Sequence, residues 1–222
     1  MELIRTIDLT KVYLTSEIET TALHNINLTI NEGEFIAVMG PSGCGKTTFL
    51  NLIGMLDTPT EGRYFFMSDD ISRYNEKKRA VLRKVNLGFV FQDYNLIKEL
   101  TVFDNVMLPL QYVKMSNASR KEKVNNILKQ LEIGARASHY PNQLSGGQQQ
   151  RVAIARALVV DPRLIIADEP TGNLDSLNGS HVMQLFSRIH KTGKTIIIVT
   201  HSDEVASYAQ RIVYLKDGKI ID

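Results

Sequence analysis

The hydrophobic pattern changes character three times along the chain. In "NINLTI", Ile26, Leu28 and Ile30 alternate with polar residues, and "LIRTIDLTKVYL" behaves similarly, so both predict half-buried antiparallel strands. After the turn Asn31-Glu32-Gly33, alternation gives way to short unbroken apolar runs in "EFIAVMG", "RLIIADEP" and "KTIIIVTH". Runs of this kind predict strands buried on both faces, as in a parallel sheet, with glycine or polar residues at the carboxyl ends where such sheets carry their reactive groups. In "RKEKVNNILKQLEI", Val124, Ile127, Leu128 and Leu131 fall at i, i+3, i+4 and i+7, the spacing of an amphipathic helix. The stretch from about residue 93 to 160 therefore predicts a helical insertion, interrupted at Pro109 and Pro141. The expected architecture is α/β: a mostly parallel core sheet, an N-terminal antiparallel β layer and a helical subdomain, within one domain spanning residues 1–222.

Composition narrows the classes without choosing among them. A chain of 222 residues that is 43% hydrophobic can bury a sizeable core. Its net charge of +2 lacks the basic excess of a dedicated nucleic-acid binder, so no nucleic-acid partner is expected. The start "MELIRTIDLT" has neither the basic region nor the long apolar stretch of a signal peptide, and the aliphatic runs are strand-sized. Cys44 is the single cysteine, which precludes an intramolecular disulfide and suits a reducing compartment.

Two glycine-rich turns carry candidate chemistry. "GPSGCGKT" matches G-x-x-x-x-G-K-[ST] between a predicted strand and the predicted helix "TTFLNLIGML". Gly40, Pro41, Ser42, Gly43, Cys44, Gly45, Lys46, Thr47 and Thr48 would form a cradle of backbone amides. Lys46 would reach the β- and γ-phosphates of a nucleoside triphosphate, and the Thr47 hydroxyl would ligate Mg²⁺. The second turn, "LSGGQQQRVAIARAL", reads as a helix whose Ser145 and Gln148 have capping-box spacing. A glycine-rich helix N-terminus favours anions, yet no lysine stands beside this one.

Polar residues follow the other apolar runs. Asp168 fits the metal-side acid of P-loop enzymes, and Glu169 fits the group that orients or deprotonates an attacking water. His201 ends the next run and is a candidate γ-phosphate donor. Gln92, after "LGFVF", carries a neutral amide able to touch both Mg²⁺ and water. Tyr13, in the N-terminal layer, is a candidate surface for a purine ring.

The ordered set "GPSGCGKT", "FQ", "LSGGQQQR", "LIIADEP", "NLD" and "TH" resembles the nucleotide-binding subunits of ATP-binding-cassette (ABC) proteins over essentially the whole chain. The resemblance implies an ATPase using ATP and Mg²⁺ that works as a head-to-tail homodimer, each ATP lying between the P-loop of one copy and the "LSGGQ" of the other. It implies that Tyr13 stacks on adenine and that Gln92 couples the site to a membrane subunit. Ser145 and Gly147, with Gln148, would serve the partner's nucleotide, Asp175 would belong to the interface loop, and His201 would be the switch histidine. The segments "LGFVFQDYNL", "LTVFDNVMLPL" and "ADEPTGNLDS" look like the lipoprotein-releasing and macrolide-exporter branch. There the partner is a membrane permease with a large extracytoplasmic domain, and the ATPase sits on the cytoplasmic face of the membrane, driving export, extraction or mechanical work across it. A regulatory role, gating a cell-wall or other extracytoplasmic enzyme through the membrane partner, is the alternative. The chain departs from that branch at Thr47, at Lys98-Glu99, and in "YFFMSDD", which lacks the expected glycine. Tyr94, Leu96 and Ile97 are the candidate contacts for the membrane subunit.

Overall fold

The computed structural model describes residues 1–14 and 19–221. The two alternating segments become the long strands β1 (Glu2–Leu14) and β2 (Glu19–Asn31), paired antiparallel with Thr6 opposite Leu28 and Leu9 opposite Ile26. Leu9, Leu23, Ile26 and Ile30 are fully buried on one side, as alternation requires. The first unbroken run is β3 (Phe35–Met39), all five residues buried, which feeds a loop and then α1 (Lys46–Ile53). This helix stops short of the expected segment: Gly54 donates to Leu50 O and Met55 takes the left-handed region at φ 59°, turning the chain away.

The hairpin β4 (Glu61–Phe66) and β5 (Asp69–Asp70) completes the first sheet, in order β2-β1-β4-β5. Its two-residue turn is Met67-Ser68, at φ 52° and 71°. The glycine expected in "YFFMSDD" is absent, yet the turn forms with both residues in the left-handed region that such hairpins demand. Helix α2 (Glu76–Asn86), capped by Asn75, then leads into β6 (Leu87–Val90).

Between β6 and the strand that follows it lie α3 (Val102–Met107), α4 (Asn117–Gln130), α5 (Gly146–Leu158) and short 3₁₀ turns. The amphipathic reading of α4 holds: Val124, Leu128 and the flanking Leu131 are buried, with Ile127 packed at the edge of the same cluster. Then come β7 (Leu164–Asp168), α6 (Ser176–His190), β8 (Thr195–Val199), the short α7 (Asp203–Ala206), and the hairpin β9 (Arg211–Lys216) and β10 (Lys219–Ile221).

The second sheet runs β10-β9-β3-β8-β7-β6, parallel throughout except for the β9–β10 hairpin. Its strands are apolar without alternation because both faces are covered. Ile165, Ala167, Ile196 and Ile198 pack with the helices of the insertion and α6, while Leu164, Ile166, Ile197 and Val199 face the core shared with α1 and the antiparallel layer. Burying a whole aliphatic side chain contributes roughly 1.5–3 kcal/mol, so an exposed position within these strands would leave one of the two cores short. The carboxyl ends of β3, β6, β7 and β8 all point to one rim, and the loops that follow them carry the candidate chemistry.

Candidate active site at the rim of the parallel sheet

A cleft of about 1000 Å³ lies at that rim, lined by Gly40 to Gly43, Gly45 to Thr48, Gln92, Asp168, Glu169 and His201. The loops after four strands thus meet in one place. Cys44 alone of the first glycine loop turns inward: its side chain is buried in the core and its carbonyl accepts from Gly218 N. The loop enters α1 through Gly45, at φ 104°, with no side chain capping the helix. A Cβ at Gly45 would lie 2.6 Å from Ala22 O, so conformation and space both demand glycine. The first amides of α1 are left without a side-chain cap, as an anion-binding helix start needs. Lys46 Nζ donates to Gly40 O at 2.7 Å and to Pro41 O at 2.8 Å, which holds the ammonium over the loop.

At the end of β7 the backbone turns abruptly. Glu169 takes φ 43°, unusual for a residue with a side chain, and its amide donates to Val199 O at the end of β8. Its carboxylate then accepts from Thr200 Oγ1 at 3.2 Å and meets His201 Nδ1 at 2.6 Å. A carboxylate only accepts, so Nδ1 carries the proton and Nε2 of the exposed imidazole is directed elsewhere. Asp168 differs from its neighbour. Burial raises its pKa above the ordinary carboxylate value, the charge of Glu169 adds to the rise, and Lys46 opposes it. A half-buried aspartate whose charged form is disfavoured gains from a nearby cation. Thr47, Gln92 and Asp168 supply a hydroxyl, an amide and a carboxylate to the same cleft, a hard oxygen set that fits Mg²⁺ held jointly with phosphate oxygens.

The second glycine loop lies outside this cleft. Ser145 caps α5 by accepting from Gln148 N, and Gln148 Oε1 accepts from Ser145 N at 3.0 Å, so the expected capping box is present. Here the glycines are required by close approach: a Cβ on Gly147 would sit 2.7 Å from Asn178 Oδ1, and one on Gly146 would sit 2.9 Å from the Tyr94 hydroxyl. Asp175 caps α6, accepting from Asn178 N at 2.9 Å, and these hydrogen bonds hold its pKa below the ordinary value. Asp175 lines a crevice beside the cleft that also reaches Glu169 and His201. Tyr13 is not among the residues lining the cleft, but its strand partner Thr20 is.

Some contributors are invisible to motif reading. Asn173 donates to Gln92 O and to Asp93 Oδ1 while accepting from Gln92 Nε2, so it ties the loop after β6 to the loop after β7. Fully buried Asn105 accepts from Ile97 N and donates to Ile97 O and Leu100 O, organising the segment that contains Lys98-Glu99. Buried Gln150, on α5, donates to Pro170 O and joins the second glycine helix to the acidic loop. The asparagine inside "NLD" was the one available signal; nothing in spacing marks the others.

The sequence pattern of the ABC transporter family matches residues 23–172. This chain belongs to the ABC transporter family. It is the ATPase cassette of that family, binding ATP with Mg²⁺. An uncharacterized ABC transporter ATP-binding protein of Methanocaldococcus jannaschii is 49% identical over 96% of this chain and 95% of its own. The macrolide export ATP-binding/permease protein MacB of Rhodospirillum rubrum is 46% identical over 99% of this chain, which spans only 34% of that protein's length. Among solved structures, the ATP-binding cassette MJ0796, a dimer bound to ADP and Pi, superposes with a TM-score of 0.90 at 46% identity, covering 99% of this chain and 97% of that one.

Proposed function

We propose that this ABC cassette is the motor beneath a membrane permease, and that two copies close head to tail around two ATP molecules. The observation that carries the reading is a separation. Lys46, Thr47, Asp168 and Glu169 share one cleft, whereas Ser145 and Gly147 lie outside it on the same chain. The dimeric form of the similar MJ0796 cassette supports the idea that the second glycine loop serves the nucleotide of a second copy.

In this reading the P-loop amides and Lys46 grip the phosphates; Thr47, Gln92 and Asp168 would hold Mg²⁺, which would supply charge neutralisation for the phosphate oxygens. Glu169 orients a water and accepts its proton as the water oxygen bonds to the γ-phosphorus and the bond from that phosphorus to the β,γ-bridging oxygen breaks, giving ADP and phosphate. His201 donates from Nε2 to the γ-phosphate while Nδ1 donates to Glu169, which requires the ring to carry both protons. Ser145, Gly147 and Gln148 of the opposing copy complete the donors, so hydrolysis waits on closure.

In this reading the described residues belong to one cassette, with residues 93–160 as its helical lobe. Among the described residues no helix is long and apolar enough to cross a membrane. In this reading the cassette meets a permease that has a large extracytoplasmic domain, and meets it from the cytoplasmic face. For that contact we favour the apolar groove lined by Leu56, Phe89, Phe91, Leu108, Pro109 and Tyr112. Of the residues expected from sequence, Leu96 packs on the core and Tyr94 approaches Gly146, leaving Ile97 exposed nearby. Similarity to the macrolide export protein MacB supports export as the work done.

Light scattering on Glu169→Gln, with and without MgATP, tests the pairing. A dimer that forms only with MgATP and is lost in the double variant with Ser145→Arg is the expected result. An ATP-dependent dimer that survives Ser145→Arg would overturn the shared-site reading.

A further inference from the structure

The expected purine platform, Tyr13, is embedded in a polar cluster that no motif describes. Lys11 is almost entirely buried on β1, and its ammonium donates to Asp57 Oδ1 at 2.8 Å and to Thr58 O at 2.9 Å. The Tyr13 hydroxyl donates to the other carboxylate oxygen of Asp57 at 3.2 Å. The same ammonium stands 4.9 Å from the centroid of the Tyr13 ring. One aspartate thus receives a lysine and a tyrosine two residues apart on the same strand, and the lysine ammonium lies over the tyrosine ring.

Asp57 is in turn tied to the far end of the helix whose start carries the phosphate-binding residues. The amides of Leu56 and Asp57 both donate to Asn51 O, in the last turns of α1, the helix that begins at Lys46 and Thr47. Beyond Asp57 the chain returns to β1: Thr60 N donates to Thr10 O, and Val12 N donates to Thr60 Oγ1. Burial alone would raise the pKa of Asp57, but the hydrogen bonds from Lys11, Thr58 and Tyr13 outweigh it and lower the value, so the carboxylate is held in its charged form. Across the strand pair, Tyr13 stands opposite Thr20, whose neighbourhood lines the cleft.

We propose that Asp57 and Lys11 are positioning residues for nucleotide recognition: they fix the Tyr13 ring at the height and tilt set by the P-loop helix, presenting its uncovered face to the purine. This rests on the reading of Tyr13 as the adenine platform. Tyrosine stacked on a base gives up conformational freedom when it binds, and a ring already clamped through its hydroxyl and one face gives up less.

Calorimetry with MgADP and, separately, with inorganic pyrophosphate and Mg²⁺ tests the proposal, because neither ligand is hydrolysed in the ATPase reaction or needs a γ-phosphate contact. Tyr13→Ala is expected to weaken MgADP about tenfold. Asp57→Ala and Lys11→Met are expected to weaken it about threefold to fivefold, with pyrophosphate affinity unchanged. Tyr13→Phe removes only the hydroxyl and serves as the variant that cannot disturb the loop after α1; a loss of about twofold is expected. If Tyr13→Ala weakens MgADP while Asp57→Ala, Lys11→Met and Tyr13→Phe do not, the positioning role is overturned and the platform stands. If Tyr13→Ala leaves MgADP unchanged, the platform reading fails and the inference with it. An equal loss of MgADP and pyrophosphate in Asp57→Ala would assign the aspartate to the fold of the P-loop and overturn the proposal.

Discussion

The two glycine loops use the same residue for opposite reasons. In the first, Gly45 stands at φ 104° and opens a helix that no side chain caps. In the second, Ser145 caps its own helix, and Gly147 is needed because Asn178 of the neighbouring helix comes within 2.7 Å of where a Cβ would be. The first loop bends so that its amides are free to bind; the second caps itself, and its glycines let the Tyr94 hydroxyl and Asn178 of α6 come close. A cradle that completes a site within its own chain needs the lysine and the acids around it, as here, whereas one built to meet another molecule needs only a clean, rigid face.

This contrast is broken most severely at Lys46. Lys46→Ala should lower the ATP turnover of the cassette by roughly 100-fold or more, the scale on which losing a preorganised charge at a phosphoryl centre is felt, while Ser145→Ala should leave MgADP affinity of the isolated chain unchanged. Steady-state phosphate release and calorimetry check the pair. Next come the glycines. Gly45→Ala adds a Cβ in the left-handed region against backbone and should cost about 2–4 kcal/mol by chemical unfolding. Gly147→Ala meets only a side chain, should cost about 1–2 kcal/mol, and should be largely rescued by Asn178→Ala, a coupling that a double-mutant cycle measures. No second substitution in a side chain is expected to rescue Gly45→Ala.

Smaller effects sharpen the electrostatic side of the comparison. Because the pKa of Asp168 is raised in the folded state, mainly by burial, its charged form weakens the fold. The sign follows: its contribution to stability is fully present below the unfolded carboxylate pKa and is lost as pH rises through the raised folded value. Asp168→Asn should therefore raise the melting temperature near neutral pH by about 1–3 °C and flatten its acid dependence, while hydrolysis falls. The smallest change concerns a position where glycine is wanted only for conformation. Ser68, at φ 71° in the β4–β5 turn, should gain about 0.5–1 kcal/mol as Ser68→Gly, measured by urea unfolding.

These cases also mark what could be read in advance. Strands β1, β2, β3, β7 and β8 and helix α4 follow from period and run length, because burial on one face or two leaves a direct trace in the order of residues, and the P-loop follows from its motif. The capping box at Ser145 and Gln148 was equally legible, since both partners lie within one turn. The Met67-Ser68 turn was not, because tertiary pairing of Phe65 with Asp70 imposes a backbone that neither residue favours. Nor could spacing foresee Asp57, which meets Lys11 across 46 positions of sequence, or Asn105, whose side chain substitutes for the backbone partners of a loop. Long-range polar contacts of this sort depend on where two elements happen to be brought together, and single residues carry no period.

The bridge between Gln92 and Asn173 has an implication for ancestry rather than chemistry. Asn173 holds the backbone and the side chain of one loop with a single amide, and a Cβ on neighbouring Gly172 would lie 2.9 Å from Gln92 Nε2. Drift at any of these positions is felt at once by the other two. Duplicated copies of such a cassette could diverge freely over most of their surface, yet a copy that loses its glutamine would also release the asparagine and glycine from selection, so the trio should be inherited together or decay together.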